Sequence, residues 1–331
     1  MRSLLLLALL ASCASPSRFA YDPIANEGVH AGAEVEWWYH FGWLSDDAGT
    51  DWAWVSSFFR YRGQRYLIHD LIDLKTGRGD YRSRLGEEAL AGFVAATRMP
   101  KLPAPHEPIP GKPLEKAGDP LRLRYGADEF ERLPDGRYRL KAGEVDLVLR
   151  PVSEPLPVEG TGLTGLAKPD DMHYYTIPRL EATGTVRGRP ARGLFWYDHQ
   201  WGSSWLGSDI GWSWWGLQLD DETAVNAYVL RNIQDGRILR SVLTLDDRPY
   251  PMDATPVEHW ESPNGVRYPV SWELSAGPLR LRVEALFKER ELPLLSETGF
   301  LWEGPVRVTG TKTGRGFQEL VSYAREQKRR R

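Results

Sequence analysis

Cysteine is almost absent: Cys13 is the only one in 331 residues. A lone thiol makes no internal disulfide and builds no cysteine-based zinc site, which excludes both scaffolds. No apolar run reaches the roughly 20 residues that cross a bilayer as a helix. Charge of one sign is not in excess either. The 42 basic and 45 acidic side chains leave a net charge of -3, and no interior block is strongly basic, so nucleic acid is not expected as the main partner. The chain lacks a Gly-x-Gly-x-x-Gly entering a helix and a Walker-type Gly-Lys-Ser/Thr, and no cofactor is expected. Gly202-Ser203-Ser204 is short of the second glycine of a nucleophile elbow, which disfavours a serine hydrolase. His40, His69 with Asp70, His173 and His199 show no His-x-x-x-His spacing, and no metal is expected. Helical periodicity is scarce, the best candidates being residues 86–97 and 318–329.

Aromatic residues are abundant: 14 Trp, 14 Tyr and 10 Phe accompany 32 Gly and 24 Pro. Eleven of the tryptophans fall in residues 37–54 and 196–215. Aligning the two Trp-rich hairpins puts Gly42-Trp43-Leu44-Ser45-Asp46-Asp47 on Gly216-Leu217-Gln218-Leu219-Asp220-Asp221, an offset of 174 residues. In each copy a strand enters a turn marked by paired Asp and a second strand follows. A repeat this long is a domain duplication, not a solenoid unit. Short period-two runs recur elsewhere, separated by turn signals such as Pro134-Asp135-Gly136 and Pro263-Asn264-Gly265. The pattern predicts an all-β chain of antiparallel sheets closed into barrels or sandwiches, with short helices. Residues 99–120 hold seven prolines and residues 151–169 are rich in Pro and Gly, so both are expected to be long connecting loops.

The N-terminus reads as an address. Arg2 precedes a short apolar segment, and Leu10-Ala11-Ser12-Cys13 follows, a run that resembles a bacterial lipobox. That resemblance implies lipidation at Cys13, with residues 1–18 as signal peptide and tether. Ala14 after the cysteine points to the outer rather than the inner membrane of a bacterial envelope. The basic end, Lys328 to Arg331, is expected to be a solvated terminus.

Chemistry concentrates in residues 172–178 and 194–202, where titratable groups are bedded among aromatics. In strands, His173 and Tyr175 share a face, as do Trp196 and Asp198, and neighbouring strands would present all four to one cavity. A carboxylic acid kept protonated by an apolar pocket suits acid-catalysed hydration of an alkene. The alternative is that the aromatics are core and Asp198 caps a turn. Trp38, His40, Trp201 and Trp214 are the candidates for lining a ligand pocket.

The runs Glu36-Trp37-Trp38-Tyr39, 174–184, 196–202 and 302–310 resemble the AttH-like and carotenoid 1,2-hydratase family over nearly the whole mature chain. The resemblance implies two tandem lipocalin-like domains, here residues 19–205 and 206–331, and a hydrophobic ligand such as a lipid or isoprenoid. In the hydratase branch an acidic residue and a neighbouring His add water without a cofactor. Asp198 and His173 match them, with Tyr175 and Trp196 as aromatic partners and Trp196 in place of a Tyr. Two functions follow as expectations. One is a lipid-anchored, periplasm-facing binding module that serves an envelope ABC transporter, and the other is an isoprenoid hydratase.

Overall fold

The computed structural model describes residues 21–22, 25–97, 105–203, 209–294 and 299–330. Cys13 lies outside them, as does the basic end at Arg331.

Two sheets account for almost all of the described chain. The first has twelve strands. It runs from an edge at His106–Ile109 through Arg82–Gly86, Gln64–Asp73, Asp51–Tyr61, Val35–Asp46, Arg189–Gly202, Met172–Val186, Val145–Pro151, Tyr138–Ala142 and Asp128–Arg132 to Arg122–Tyr125, and the short Leu156–Pro157 also pairs with Met172–Val186. The second has ten strands. Its order is Arg248–Pro251, Ile238–Leu245, Ala224–Asn232, Ile210–Leu219, Gly314–Val321, Phe300–Gly310, Leu279–Ala285, Arg267–Ala276 and Asp253–Glu261, and the short Glu291–Pro293 also pairs with Phe300–Gly310. In both, the first long strand sits between its hairpin partner and the last strand of its own half. The all-β expectation of two tandem barrel domains is met, the first sheet nearly closed and the second a half-barrel.

The duplication is real, but its register differs from the sequence alignment. Backbone bonds close the first hairpin from Asp46 N–H to Thr50 and the second from Leu219 N–H to Thr223, each at 3.0 Å. Asp46 is therefore equivalent to Leu219, an offset of 173, and Gly42 matches Trp215 rather than Gly216. A slip of one residue exchanges the two faces of a strand. Gly42 lies against the Phe195 ring inside the first barrel, whereas Gly216 approaches Phe41 and Trp214 between the two sheets.

Three apolar layers hold this arrangement. One fills the first barrel around Trp54, Phe130 and Leu147, and a second fills the other around Trp215, Val270 and Trp302. The third lies between the sheets and joins Tyr39, Phe41, Trp196 and Tyr174 to Trp214, Tyr228 and Phe317. Strands of the outer wall, such as Leu279–Ala285, alternate buried and exposed residues. Val35–Asp46 and Ala224–Asn232 are buried on both faces, polar residues such as His40 and Asn226 included.

The predicted N-terminal helix appears at Glu87–Thr97. The C-terminal one begins later, at Tyr323–Arg330. Residues up to Val321 are instead a strand hydrogen-bonded on both sides, to Ile210–Leu219 and Phe300–Gly310, and this pairing overrides the helical pattern. Within the expected loop 99–120, His106–Ile109 pairs in parallel with Arg82–Gly86. Its position at the sheet edge tolerates Pro108.

The segment after Tyr21 closes the mouth of the first barrel. Tyr21 packs edge-on against Tyr175 at 4.8 Å, Trp38 Nε1 donates to the Glu27 carbonyl at 2.8 Å, and His30 stacks on Trp201 at 4.0 Å. The Glu27 carboxylate accepts the Tyr21 and Tyr138 hydroxyls and meets Arg132 at 3.2 Å. This first barrel is filled by its own side chains.

Candidate active site

A cavity of about 400 Å³ opens between the two sheets. Val35–Asp46 and its neighbours supply one wall, Ile210–Leu219 and its neighbours the other. The register decides which side chains reach it. Tyr39 pairs with Asp198, Trp37 with Gln200, and Thr176 with Asp198, so these residues share the face turned to the second sheet. Tyr174, Trp212 and Trp214 complete the surroundings of Asp198 in the cavity.

Asp198 is held by side chains, not by a turn. Tyr174 donates its hydroxyl to Oδ2 at 2.7 Å and Trp196 donates Nε1 to Oδ1 at 2.7 Å. The Tyr174 oxygen in turn accepts from Trp214 Nε1 at 3.0 Å and Asn226 Nδ2 at 2.8 Å. With both lone pairs taken, the only place for the Tyr174 hydrogen is Asp198. Burial pushes the Asp198 carboxyl up to about 7, against the opposing effect of the bonds from Tyr174, Trp196 and Thr176. The group therefore exchanges a proton near neutral pH, as a general acid or base requires.

Two further carboxyls line the cavity, and the sequence reading missed both. Glu303 and Glu319 stand directly opposite each other on adjacent strands of the second half. Glu303 accepts the Tyr39 hydroxyl at 2.7 Å, and Glu319 accepts Trp212 Nε1 at 2.8 Å. Burial raises both, with the Glu319 charge adding to the rise at Glu303 and the Asp198 charge adding to the rise at Glu319. The signal was a glutamate inside a Trp-Glu-Gly-Pro run for Glu303; Glu319 was concealed by the helical reading of its segment.

The other expected site residues separate by face. His173 pairs with Trp201 and Tyr175 with His199, so both turn away from Asp198. His173 stacks on Trp201 at 5.0 Å at the barrel mouth, and Tyr175 is buried in the first barrel. The expected convergence of His173 and Tyr175 on Asp198 does not occur, because Asp198 aligns with Thr176 and the even-numbered neighbours come along. Trp196 does meet Asp198 through its indole N–H. Of the pocket candidates, Trp214 lines the cavity. Trp38 and His40 lie inside the first barrel, with His40 stacked on Tyr197 at 5.1 Å and its ring pushed down to about 3 by burial. Trp201 sits between His30 and His173.

Inside the barrel mouth, His30, Glu36 and His199 bring three metal-type ligand atoms within 4.8 Å of one another. His30 Nδ1 and His199 Nε2 both reach Glu36 Oε1, at 2.7 and 3.1 Å, and His199 Nδ1 meets the Tyr175 hydroxyl at 3.3 Å. Burial opposes charge on Glu36, but the bonds from His199 and His30 prevail and lower it. The set forms a hydrogen-bonded chain, with His30 Nε2 buried and left without a partner. The His40, His69, His173 and His199 set does not assemble; only His199 belongs to this cluster.

Residues 110–323 match the family model described as AttH-like. The chain belongs to the AttH-like family. An AttH protein from Nitrosomonas europaea, known from its crystal structure, superposes with a TM-score of 0.74 at 25% identity, covering 92% of this chain and 97% of its own. The crystal structure of kievitone hydratase from Nectria haematococca superposes at 0.70 with 16% identity, covering 94% of each chain, a likeness of fold. No curated protein sequence matches. As an AttH-like protein, the chain combines two tandem barrels with a cavity on the seam between them, and Asp198 faces that seam.

Proposed function

We propose that this AttH-like protein binds an apolar, alkene-bearing molecule of the isoprenoid type in the cavity between its sheets and adds water to it. The observation that carries the reading is Asp198, a carboxyl buried in an aromatic cavity and pushed up to about 7. Its proton passes to the less substituted alkene carbon, forming a C–H bond and leaving positive charge on the other carbon. Water bonds to that carbon and returns a proton to the Asp198 carboxylate, so alkene and water become an alcohol and the acid is restored. Tyr174 and Trp196 hold the carboxylate in place while it is charged. Ring faces of Trp214 and Tyr39 stabilise the passing cation by about 0.5–2 kcal/mol each.

A second reading is carriage without turnover. It is favoured by Leu10-Ala11-Ser12-Cys13, which would place the protein as a lipoprotein on the periplasmic side of the envelope, at the outer membrane, where a hydrophobic ligand is handed to an ABC transporter. The two readings part on one assay, water addition to a short isoprenoid alkene with retention of the ligand measured beside it. Asp198→Asn is expected to lower turnover by about 100-fold or more with binding kept. Absence of turnover in the parent, with equal retention by parent and variant, leaves carriage alone.

A further inference from the structure

Hydration employs one of the three acids in the cavity. Glu303 and Glu319 have no part in it, yet both sit in a largely apolar wall, Glu319 half-buried, where an unpaired carboxyl is costly. Glu303 is fully buried, and its Oε2 has no hydrogen-bond partner. The nearby cations are committed elsewhere. Arg84, at the cavity rim, is bound by Asp128 at 3.0 Å and faces Glu107 at 3.7 Å. Arg290 gives its guanidinium to Asp70 and only its Nε to the Glu303 carbonyl, at 3.3 Å. Around the two glutamates stand Tyr39, Trp212, Trp214 and Tyr228, with Leu294 and Leu301 further along the wall. Acids facing each other, without an ion-pair partner of their own and surrounded by aromatic side chains, are complementary to a positive head on an apolar tail.

We infer that the cavity recognises a lipophilic cation, an alkyl amine or quaternary ammonium, whose head lies between Glu303 and Glu319 and against the rings of Trp214 and Tyr39. The inference rests on the cavity being a ligand site, and not on the chemistry assigned to Asp198. Binding a permanent cation ionises one of the paired glutamates, and the displaced proton leaves to solvent. Among the groups around the head, Asp198, Glu303 and Glu319 release protons as pH rises, and Arg290, whose charge acts on Glu303, is held by Asp70. Affinity for a permanent cation must then increase with pH.

Decyltrimethylammonium, 1-decanol and decanoate, each below its micelle concentration, make the test by calorimetry on the full chain. The ammonium is expected to bind at least about 10-fold tighter than the alcohol, to gain affinity between pH 5 and pH 8, and to release about one proton per molecule when buffers of different ionisation heat are compared. Decanoate is expected to bind weakest. In Glu303→Gln and Glu319→Gln the ammonium preference should collapse with decanol unchanged; the pH and proton-release readouts need no variant. Decanol binding as tightly as the ammonium, or no proton release, overturns the cation proposal and leaves the cavity as an apolar site. Failure of all three probes to bind overturns the cavity reading as well.

Discussion

The hydroxyl of Tyr174 donates to Asp198 Oδ2 over 2.7 Å, and that bond has a fixed direction because Trp214 and Asn226 occupy the oxygen's lone pairs. Trp214 and Asn226 belong to the second sheet, so the position of the acid's hydrogen-bond donor depends on both halves of the chain. Asn226 Oδ1 is buried without a partner. Turning that amide lets Tyr174 accept from an amide at position 198, which is how Asp198→Asn can be accommodated.

Stability should respond to pH through Asp198. Its carboxyl lies at about 7 in the folded protein against 3.8 in the free group, so the folded state keeps a proton that the unfolded chain has lost. Its contribution is fully present below about pH 4 and declines as pH rises towards 7, by about 4 kcal/mol at most. Denaturant titrations at pH 4.5 and 7.5 should show Asp198→Asn losing less stability across this interval than the parent. Identical slopes in the two proteins would mean that Asp198 is ionised in the fold.

Alanine at the two hairpin glycines should separate stability from binding. A Cβ at Gly42 would come within 2.2 Å of the Phe195 ring, inside the first barrel. One at Gly216 would come within 2.6 Å of Trp214 and 2.7 Å of Phe41, beside the cavity. Each overpacking should cost about 1–3 kcal/mol. Only Gly216→Ala is expected to weaken ligand retention as well, read by mass. Equal effects on binding would contradict the opposite facing of the two glycines.

The buried pair Asp70 and Arg290 ties the two sheets together, with side chains 0% and 5% exposed. Burial raises the Asp70 carboxyl, and Arg290 offsets only part of that rise. Arg290→Met leaves that carboxylate uncompensated and should cost about 3–5 kcal/mol. Asp70→Asn combined with Arg290→Met should recover part of the loss. Gly79→Ala probes the same place, since its Cβ would lie 2.5 Å from Asp70 Oδ1. A double variant no more stable than Arg290→Met alone would argue against the pair as the source of the loss.

The envelope address is tested at Cys13. In a detergent phase separation of cells expressing the chain, the parent is expected in the detergent phase and Cys13→Ala in the aqueous phase. Recovery of both in the aqueous phase would remove the lipoprotein proposal.

Much of the architecture was legible because hairpins and outer strands are local features: the paired-Asp turns and the alternation in Leu279–Ala285 announce themselves. What a single sequence does not contain is register between distant strands. Tyr174 and Tyr175 are adjacent and chemically alike, and only the alignment of Thr176 with Asp198 decides which of them meets the acid. The same holds for Gly42 and Gly216, displaced by one residue from true equivalence. Strands covered on both faces lose their alternation, and so the seam, where Glu303 and Glu319 meet Asp198, left no periodic trace.

Because the three acids are divided between the halves, Asp198 from one and Glu303 with Glu319 from the other, an occupant of the cavity works as mortar in the joint. Its binding free energy is added to the contact between two barrels that each have a complete core of their own. It reinforces a joint already held by the apolar layer of Phe41, Trp214 and Phe317 and by the Asp70–Arg290 pair, and so couples the melting of the two halves more tightly.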